Sequence, residues 1–136
     1  MENEKMCCKA TVENLALVTD FIEGYAERCG LETKKKFGVL VAVEEAFVNI
    51  CRYAYPDGTG EVEFACGTDG NTFELEIADR GSPFDVLSIP EPDITLDIMD
   101  REIGGLGIHF IRKLTDDVSY RRENGRNILR MEFASE

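Results

Sequence analysis

Three short stretches of the chain carry residue types that could do chemistry. The first is Val43-Glu44-Glu45-Ala46-Phe47-Val48-Asn49. On a helix, Glu45 and Asn49 would lie about 40° apart, whereas Glu44 and Asn49 would lie about 140° apart. A carboxylate beside a carboxamide can hold a proton and a hard cation together. An ordinary solvated helix face fits the same spacing, so this stretch by itself leaves both interpretations open.

The second stretch is Asp79-Arg80-Gly81-Ser82-Pro83-Phe84-Asp85, directly after a segment that alternates like a strand. Asp79 at the end of a strand could accept a hydrogen bond from a ligand amine. Gly81 would let the backbone approach that ligand closely. The alternative is a plain turn, because Asp and Gly are common turn residues.

The third stretch is Gly104-Gly105-Leu106-Gly107-Ile108, which opens a predicted helix. Glycines are poor helix formers, but they suit a helix N-terminus whose backbone N–H groups touch a phosphate. A hinge or a tightly packed helix start is the alternative. The stretch matches neither the Walker pattern nor G-x-G-x-x-G.

Composition narrows the class of protein. A length of 136 residues predicts a single domain spanning residues 1–136. The net charge of −12 argues against nucleic acid and anionic membranes as partners. One histidine and an odd count of five cysteines, without C-x-x-C spacing, argue against a zinc site or a disulfide framework. Free thiols and the polar, acidic N-terminus predict a cytoplasmic protein.

The elements that must position these stretches follow from the hydrophobic pattern. An edge strand is predicted near the N-terminus, then two helices, a hairpin, a long loop, a short helix and a second hairpin. The predicted ranges are 5–11 for the edge strand, and 12–29 and 32–55 for the two helices. The first hairpin pairs 61–66 with 72–78, the loop is 81–103, the short helix is 106–114, and the second hairpin pairs 118–122 with 127–133. Thr11 or Asn14 is the expected cap of the first helix, and Phe37 and Phe47 are expected on the core face of the second. The order predicts a two-layer α/β sandwich with a mixed, mostly antiparallel sheet and helices on one face.

Taken in order, the three stretches resemble the N box and the two glycine boxes of the GHKL ATPases, the Bergerat-fold group. The similarity runs from about residue 41 to residue 133, and Asn124-Gly125-Arg126-Asn127-Ile128-Leu129 resembles the final box. The short chain and the Asp-Arg-Gly-Ser-Pro-Phe-Asp form of the first glycine box are similar to the anti-sigma factor serine/threonine kinase branch.

The resemblance implies ATP and Mg²⁺ as cofactors and assigns roles to individual residues. Glu45 would be the general base, and Asn49 would bind Mg²⁺ at the nucleotide. Asp79 would bind the adenine amino group, and Gly81 would make room for the ring. The phosphates would lie along Gly104, Gly105, Leu106 and Gly107, with residues 87–103 as the ATP lid.

The resemblance also implies a function and partners. The expected activity is that of an ATP-dependent serine/threonine protein kinase that phosphorylates a STAS-domain anti-anti-sigma protein and sequesters a sigma factor. A homodimer is also expected from the resemblance. The alternative is a nucleotide-binding module that holds a partner without phosphoryl transfer. Ile103 stands where the family commonly has an arginine that reaches the terminal phosphate.

Overall fold

The described part of the chain folds into a five-stranded antiparallel sheet with helices packed on one face. The computed structural model describes residues 4–55, 60–88 and 111–134. The strands are β1 (Glu4–Lys9), β2 (Glu61–Asp69), β3 (Thr72–Asp79), β4 (Asp117–Glu123) and β5 (Arg126–Ala134). The helices are α1 (Leu15–Arg28) and α2 (Thr33–Asn49), and a π-helical turn (Ile50–Ala54) continues α2. Short 3₁₀ turns occupy Val12–Asn14 and Val86–Ser88, and residues 111–114 are helical.

The strands lie in the order β1-β2-β3-β5-β4, and every pairing among them is antiparallel. The predicted two-layer class is therefore confirmed, without the parallel pairing that a mixed sheet would add between these strands. Both predicted hairpins are present. Asn124 and Gly125 have φ values of 52° and 76°, which is the backbone of a two-residue type I′ turn.

The core lies between the sheet and the two helices. Alternate residues of each central strand face the helices, so β3 buries Phe73, Leu75 and Ile77. The same inward row of β3 ends at Asp79, and the inward row of β5 begins at Asn127. Two polar side chains thus occupy positions that the strand period assigns to the core.

The second helix buries a different face from the predicted one. Phe37 is 69% exposed, whereas Val39, Ala42, Val43 and Ala46 are buried with Phe47. The prediction for Phe37 was wrong because α2 is apolar around most of its circumference, so periodicity alone did not distinguish the buried side.

The start of the first helix also differs from the prediction. Thr11 precedes the 3₁₀ turn and Asn14 precedes α1, but neither makes a side-chain cap hydrogen bond. Asn14 instead donates from Nδ2 to the Lys9 carbonyl at 2.9 Å. This contact ties the end of β1 to the start of α1.

Several predicted features lie outside the described residues. They are Ile103, the predicted lid beyond Ser88, and the residues predicted to contact the phosphates, which are Gly104, Gly105, Leu106 and Gly107. Within the described ranges, no helix is both long enough and apolar enough to cross a bilayer.

Candidate functional site

Buried polar side chains mark one end of the core. Within the described ranges, the buried polar or charged residues are Asn49, Asp79 and Asn127, which are 1%, 4% and 4% exposed. Asp79 and Asn127 are direct partners in the β3–β5 register. Ala46 and Ile50, which flank Asn49 on its helix, line the same small cavity as Asp79 and Asn127. The first and second predicted stretches therefore meet where the sheet and α2 end.

The carboxylate of Asp79 is held from two sides. Its Oδ1 accepts hydrogen bonds from the backbone N–H of Gly81 and from Nδ2 of Asn127, both at 2.9 Å. Its Oδ2 makes no hydrogen bond to the described residues. A carboxylate with one oxygen fixed in this way is oriented to accept a hydrogen bond from a ligand on the other oxygen.

Burial raises the pKa of Asp79 above its ordinary value of 3.8. The hydrogen bonds from Asn127 and Gly81 and the nearby positive charge of Arg122 act in the opposite direction without cancelling that effect. A carboxylate that is desolvated in this way gains more from a ligand donor than an exposed one does.

Asn127 is the centre of the hydrogen-bond network at this end of the sheet. Its Nδ2 donates to Asp79 and, at 2.8 Å, to the Ser82 carbonyl. Its Oδ1 accepts from the Tyr120 hydroxyl at 2.6 Å and from the Phe84 N–H at 3.1 Å. All donors and acceptors of this amide are thus used, and they fix which way it faces.

The sequence did not single out Asn127 or Tyr120 as site residues. Asn127 lies in the stretch that resembles the final box, but its partner on β3 follows only from strand register. The available signal was a polar residue at the start of an apolar alternating strand, on the inward side.

On α2, the two neighbouring glutamates differ in exposure. Glu44 is exposed, whereas Glu45 is half-buried and shares the helix side of Asn49. Burial raises the pKa of Glu45, the negative charge of Glu44 raises it further, and the positive charge of Arg52 lowers it. A carboxylate whose pKa is moved toward neutrality is a better proton acceptor than an unperturbed one.

Asn49 provides the test of whether this end of the core fits a nucleotide with Mg²⁺. Its Nδ2 is buried and has no hydrogen-bond partner in the part of the chain that the structure describes. An unsatisfied buried amide typically costs about 1–3 kcal/mol, which a ligand contact would relieve. Its Oδ1 is a ligand type that Mg²⁺ accepts. The residues therefore fit an oxygen-rich ligand with a hard cation.

Gly81 lies against the end of the helix that carries Asn49. A Cβ at this position would lie 2.4 Å from the Ala54 carbonyl oxygen and 2.8 Å from the Ala54 Cβ. The backbone after Asp79 can approach the helix this closely only because Gly81 has no side chain. This contact gives Gly81 a packing role that the sequence analysis did not include.

Comparison with known proteins identifies the family. A family model for the histidine kinase-like ATPase domain matches residues 8–133. The chain belongs to this family. The match includes the N-box stretch on α2, the Asp79 turn and both hairpins, so the histidine kinase-like ATPase fold accounts for the described architecture.

Two curated relatives are named as serine-protein kinases. A protein of Bacillus thuringiensis (strain Al Hakam), called serine-protein kinase RsbW, is 27% identical over 97% of this chain and 85% of its own length. A serine-protein kinase RsbW of Bacillus anthracis is also 27% identical, with the same coverage.

A solved structure of the RsbU and RsbW domains of Rv1364c from Mycobacterium tuberculosis has the same fold. It superposes with a TM-score of 0.69 at 13% identity and covers 98% of this chain. The chain spans 32% of that protein's length.

Proposed function

We propose that this protein is an ATP-dependent serine/threonine protein kinase of the anti-sigma type. The observation that carries the proposal is the meeting of Asp79, Asn127 and the Asn49 end of α2 in a protein of the histidine kinase-like ATPase family. The relatives named serine-protein kinase RsbW support the kinase class. The proposed substrate is a STAS-domain anti-anti-sigma protein, and the second partner is a sigma factor.

The proposed nucleotide contacts divide between the sheet and the helix. Asp79 would accept a hydrogen bond from the adenine amino group, because its Oδ1 is fixed by two donors and its Oδ2 makes no bond to described residues. Asn49 would hold Mg²⁺ and contact the phosphates from α2. Gly104, Gly105, Leu106 and Gly107, outside the described residues, are proposed to line the phosphates, and residues 87–103 to cover them.

Glu45 is the proposed catalytic residue. When bound, ATP would supply the phosphoryl group, and Mg²⁺ would offset the negative charge of the phosphates. Glu45 would accept the proton of the substrate serine hydroxyl as its oxygen becomes the nucleophile. Its half-buried position beside Asn49 and its raised pKa support this role over the exposed Glu44.

A second candidate function is a nucleotide-binding regulatory module without phosphoryl transfer. Ile103, at the place where the family commonly has an arginine, favours it. Without a cation at the terminal phosphate, the transition state would be stabilised less, whereas nucleotide affinity would change little.

A cytoplasmic location and a homodimer are part of the first proposal, the protein kinase.

The test is incubation of the protein with ATP labelled on the terminal phosphate, Mg²⁺ and a STAS-domain protein from the same genome. Label on a serine or threonine of that protein supports the kinase proposal. Nucleotide binding by calorimetry without any label on the partner supports the module. Absence of both would reject the two candidates together.

A further inference from the structure

We infer that Tyr55 is a positioning residue that fixes the end of the Asn49 helix against the turn after Asp79. This inference rests on the proposed function, because it concerns how the two proposed halves of the nucleotide site are kept in register. The adenine half is carried by the sheet through Asp79. The metal and phosphate half is carried by α2 through Asn49.

The Tyr55 hydroxyl joins two strands to the end of the helix. It accepts a hydrogen bond from the backbone N–H of Arg80 at 2.7 Å and donates one to the Glu61 carbonyl at 2.9 Å. Arg80 follows Asp79 directly, and Glu61 is the first residue of β2. One hydroxyl therefore uses both its donor and an acceptor to hold the residue next to Asp79.

Backbone contacts reinforce this attachment on both sides of Tyr55. The Ser82 N–H donates to the Ala54 carbonyl at 3.0 Å, and the missing side chain of Gly81 allows that approach. A Cβ at Gly60 would lie 1.9 Å from the Tyr55 ring. The aromatic ring is thus packed against backbone as well as hydrogen-bonded.

The last turn of the helix that carries Asn49 is irregular. Residues Ile50–Ala54, directly after Asn49, form a π-helical turn. Such turns are rare and commonly lie at functional sites. The contacts of Ala54 and Tyr55 fix where this turn ends, and so they fix the position of Asn49 along the helix relative to Asp79 on the sheet.

The two halves of the site respond differently to loss of this attachment. Asp79 is held on the sheet by Asn127, and within the described residues the hydrogen bonds of the Tyr55 hydroxyl go to Glu61 and Arg80, not to Asn127. A ligand that contacts only the adenine half should therefore lose little affinity when Tyr55 is changed. A ligand that spans both halves requires them to be aligned. Adenosine is the first kind of ligand, and a non-hydrolysable ATP analogue with Mg²⁺ is the second.

The experiment compares Tyr55→Phe with Tyr53→Phe in calorimetric titrations of both ligands. Tyr53 is on the π-helical turn that Tyr55 directly follows, is 40% exposed, and its ring contacts Phe84 with centroids 5.0 Å apart. Its hydroxyl makes no hydrogen bond to the described residues, so its removal is a matched control. We expect Tyr55→Phe to weaken Mg²⁺–analogue binding about tenfold, the scale of one or two lost hydrogen bonds, with adenosine affinity within about twofold of wild type.

Amide exchange gives a second readout that does not depend on any ligand. In Tyr55→Phe the Arg80 and Ser82 N–H groups should exchange faster than in Tyr53→Phe.

The outcomes separate the inference from the proposed function. If wild type binds the analogue but Tyr55→Phe matches Tyr53→Phe, the positioning role is rejected and the proposed function stands. Equal weakening of both ligands would show a structural role alone and also reject it. If wild type binds neither ligand, the proposed function fails and the inference fails with it.

Discussion

Asn127 donates its side-chain N–H to Oδ1 of Asp79 at 2.9 Å, directly across the β3–β5 pair. Both residues occupy inward positions of their strands, where the neighbouring inward residues are apolar. A buried carboxylate is costly unless it is hydrogen-bonded, and Asn127 supplies one of its two donors. The pair explains how a sheet with an apolar inner face can present an oriented negative charge at its end.

Asp79→Asn should weaken adenine nucleotide binding and leave the fold intact. A charge-assisted hydrogen bond is worth about 1.5–3 kcal/mol, so the dissociation constant should rise about 10- to 150-fold. Calorimetric titration with ATP measures it. Asp69→Asn, an exposed carboxylate at the other end of the same hairpin, is the matched control. Equal affinity in the two variants would remove Asp79 from the adenine site.

The same substitution should stabilise the protein without nucleotide at neutral pH. Because burial raises the pKa of Asp79 above 3.8, the folded state binds its proton more tightly than the unfolded chain does. The resulting penalty is absent well below pH 3.8, grows as pH rises toward the raised pKa, and is full above it. Asp79→Asn removes this penalty. The wild-type protein is therefore less stable at neutral pH because it keeps a carboxylate that its proposed function requires.

Urea unfolding across this pH range measures that effect. The stability difference between Asp79→Asn and wild type should increase with pH and then level off. A difference that stays constant, or that turns against the variant as pH rises, would contradict the sign of the pKa shift.

Asn127→Ala should destabilise the protein by about 1–3 kcal/mol, because it leaves buried partners of the amide unsatisfied. Tyr120→Phe removes one hydrogen bond to Asn127 and should cost only about 0.5–1.5 kcal/mol. Both variants should weaken ATP binding, and Asn127→Ala should weaken it more than Tyr120→Phe, because each leaves the carboxylate of Asp79 less firmly held. Denaturant unfolding and calorimetry on the two variants give the comparison. Unchanged ATP affinity in Asn127→Ala would show that Asp79 needs no orientation by the amide.

Local sequence signals predicted most of the fold. The Asn124-Gly125 pair adopts the positive φ values that the second hairpin requires, and alternation located β3 through Ile77. Phe37 was placed wrongly because the helix is apolar on more than one side, and burial there depends on which side meets the sheet. Thr11 and Asn14 have cap-forming side chains, but Asn14 donates to the carbonyl of Lys9, at the end of the preceding strand, instead of capping α1.

The candidate site was only partly predictable for a related reason. Asp79 and Asn49 are recognisable by residue type and spacing within their own segments. Asn127 becomes a site residue only through strand register, and Tyr55 only through its contact with Arg80, 25 residues along the chain. Local patterns contain no information on such pairings until the topology is fixed.

The central claim is that Glu45 is the general base of a phosphotransfer reaction. Comparing the phosphotransfer activity of Glu45→Gln with that of Glu44→Gln tests it most directly. The measurement is label transferred from ATP to the STAS-domain partner, with nucleotide affinity determined on the same samples. Loss of a general base costs about 10²–10⁴-fold in rate, and it acts in the transition state rather than on nucleotide affinity. The account predicts that loss in Glu45→Gln with nucleotide binding retained, and near wild-type transfer in Glu44→Gln. Transfer that survives in Glu45→Gln but is lost in Glu44→Gln would contradict it.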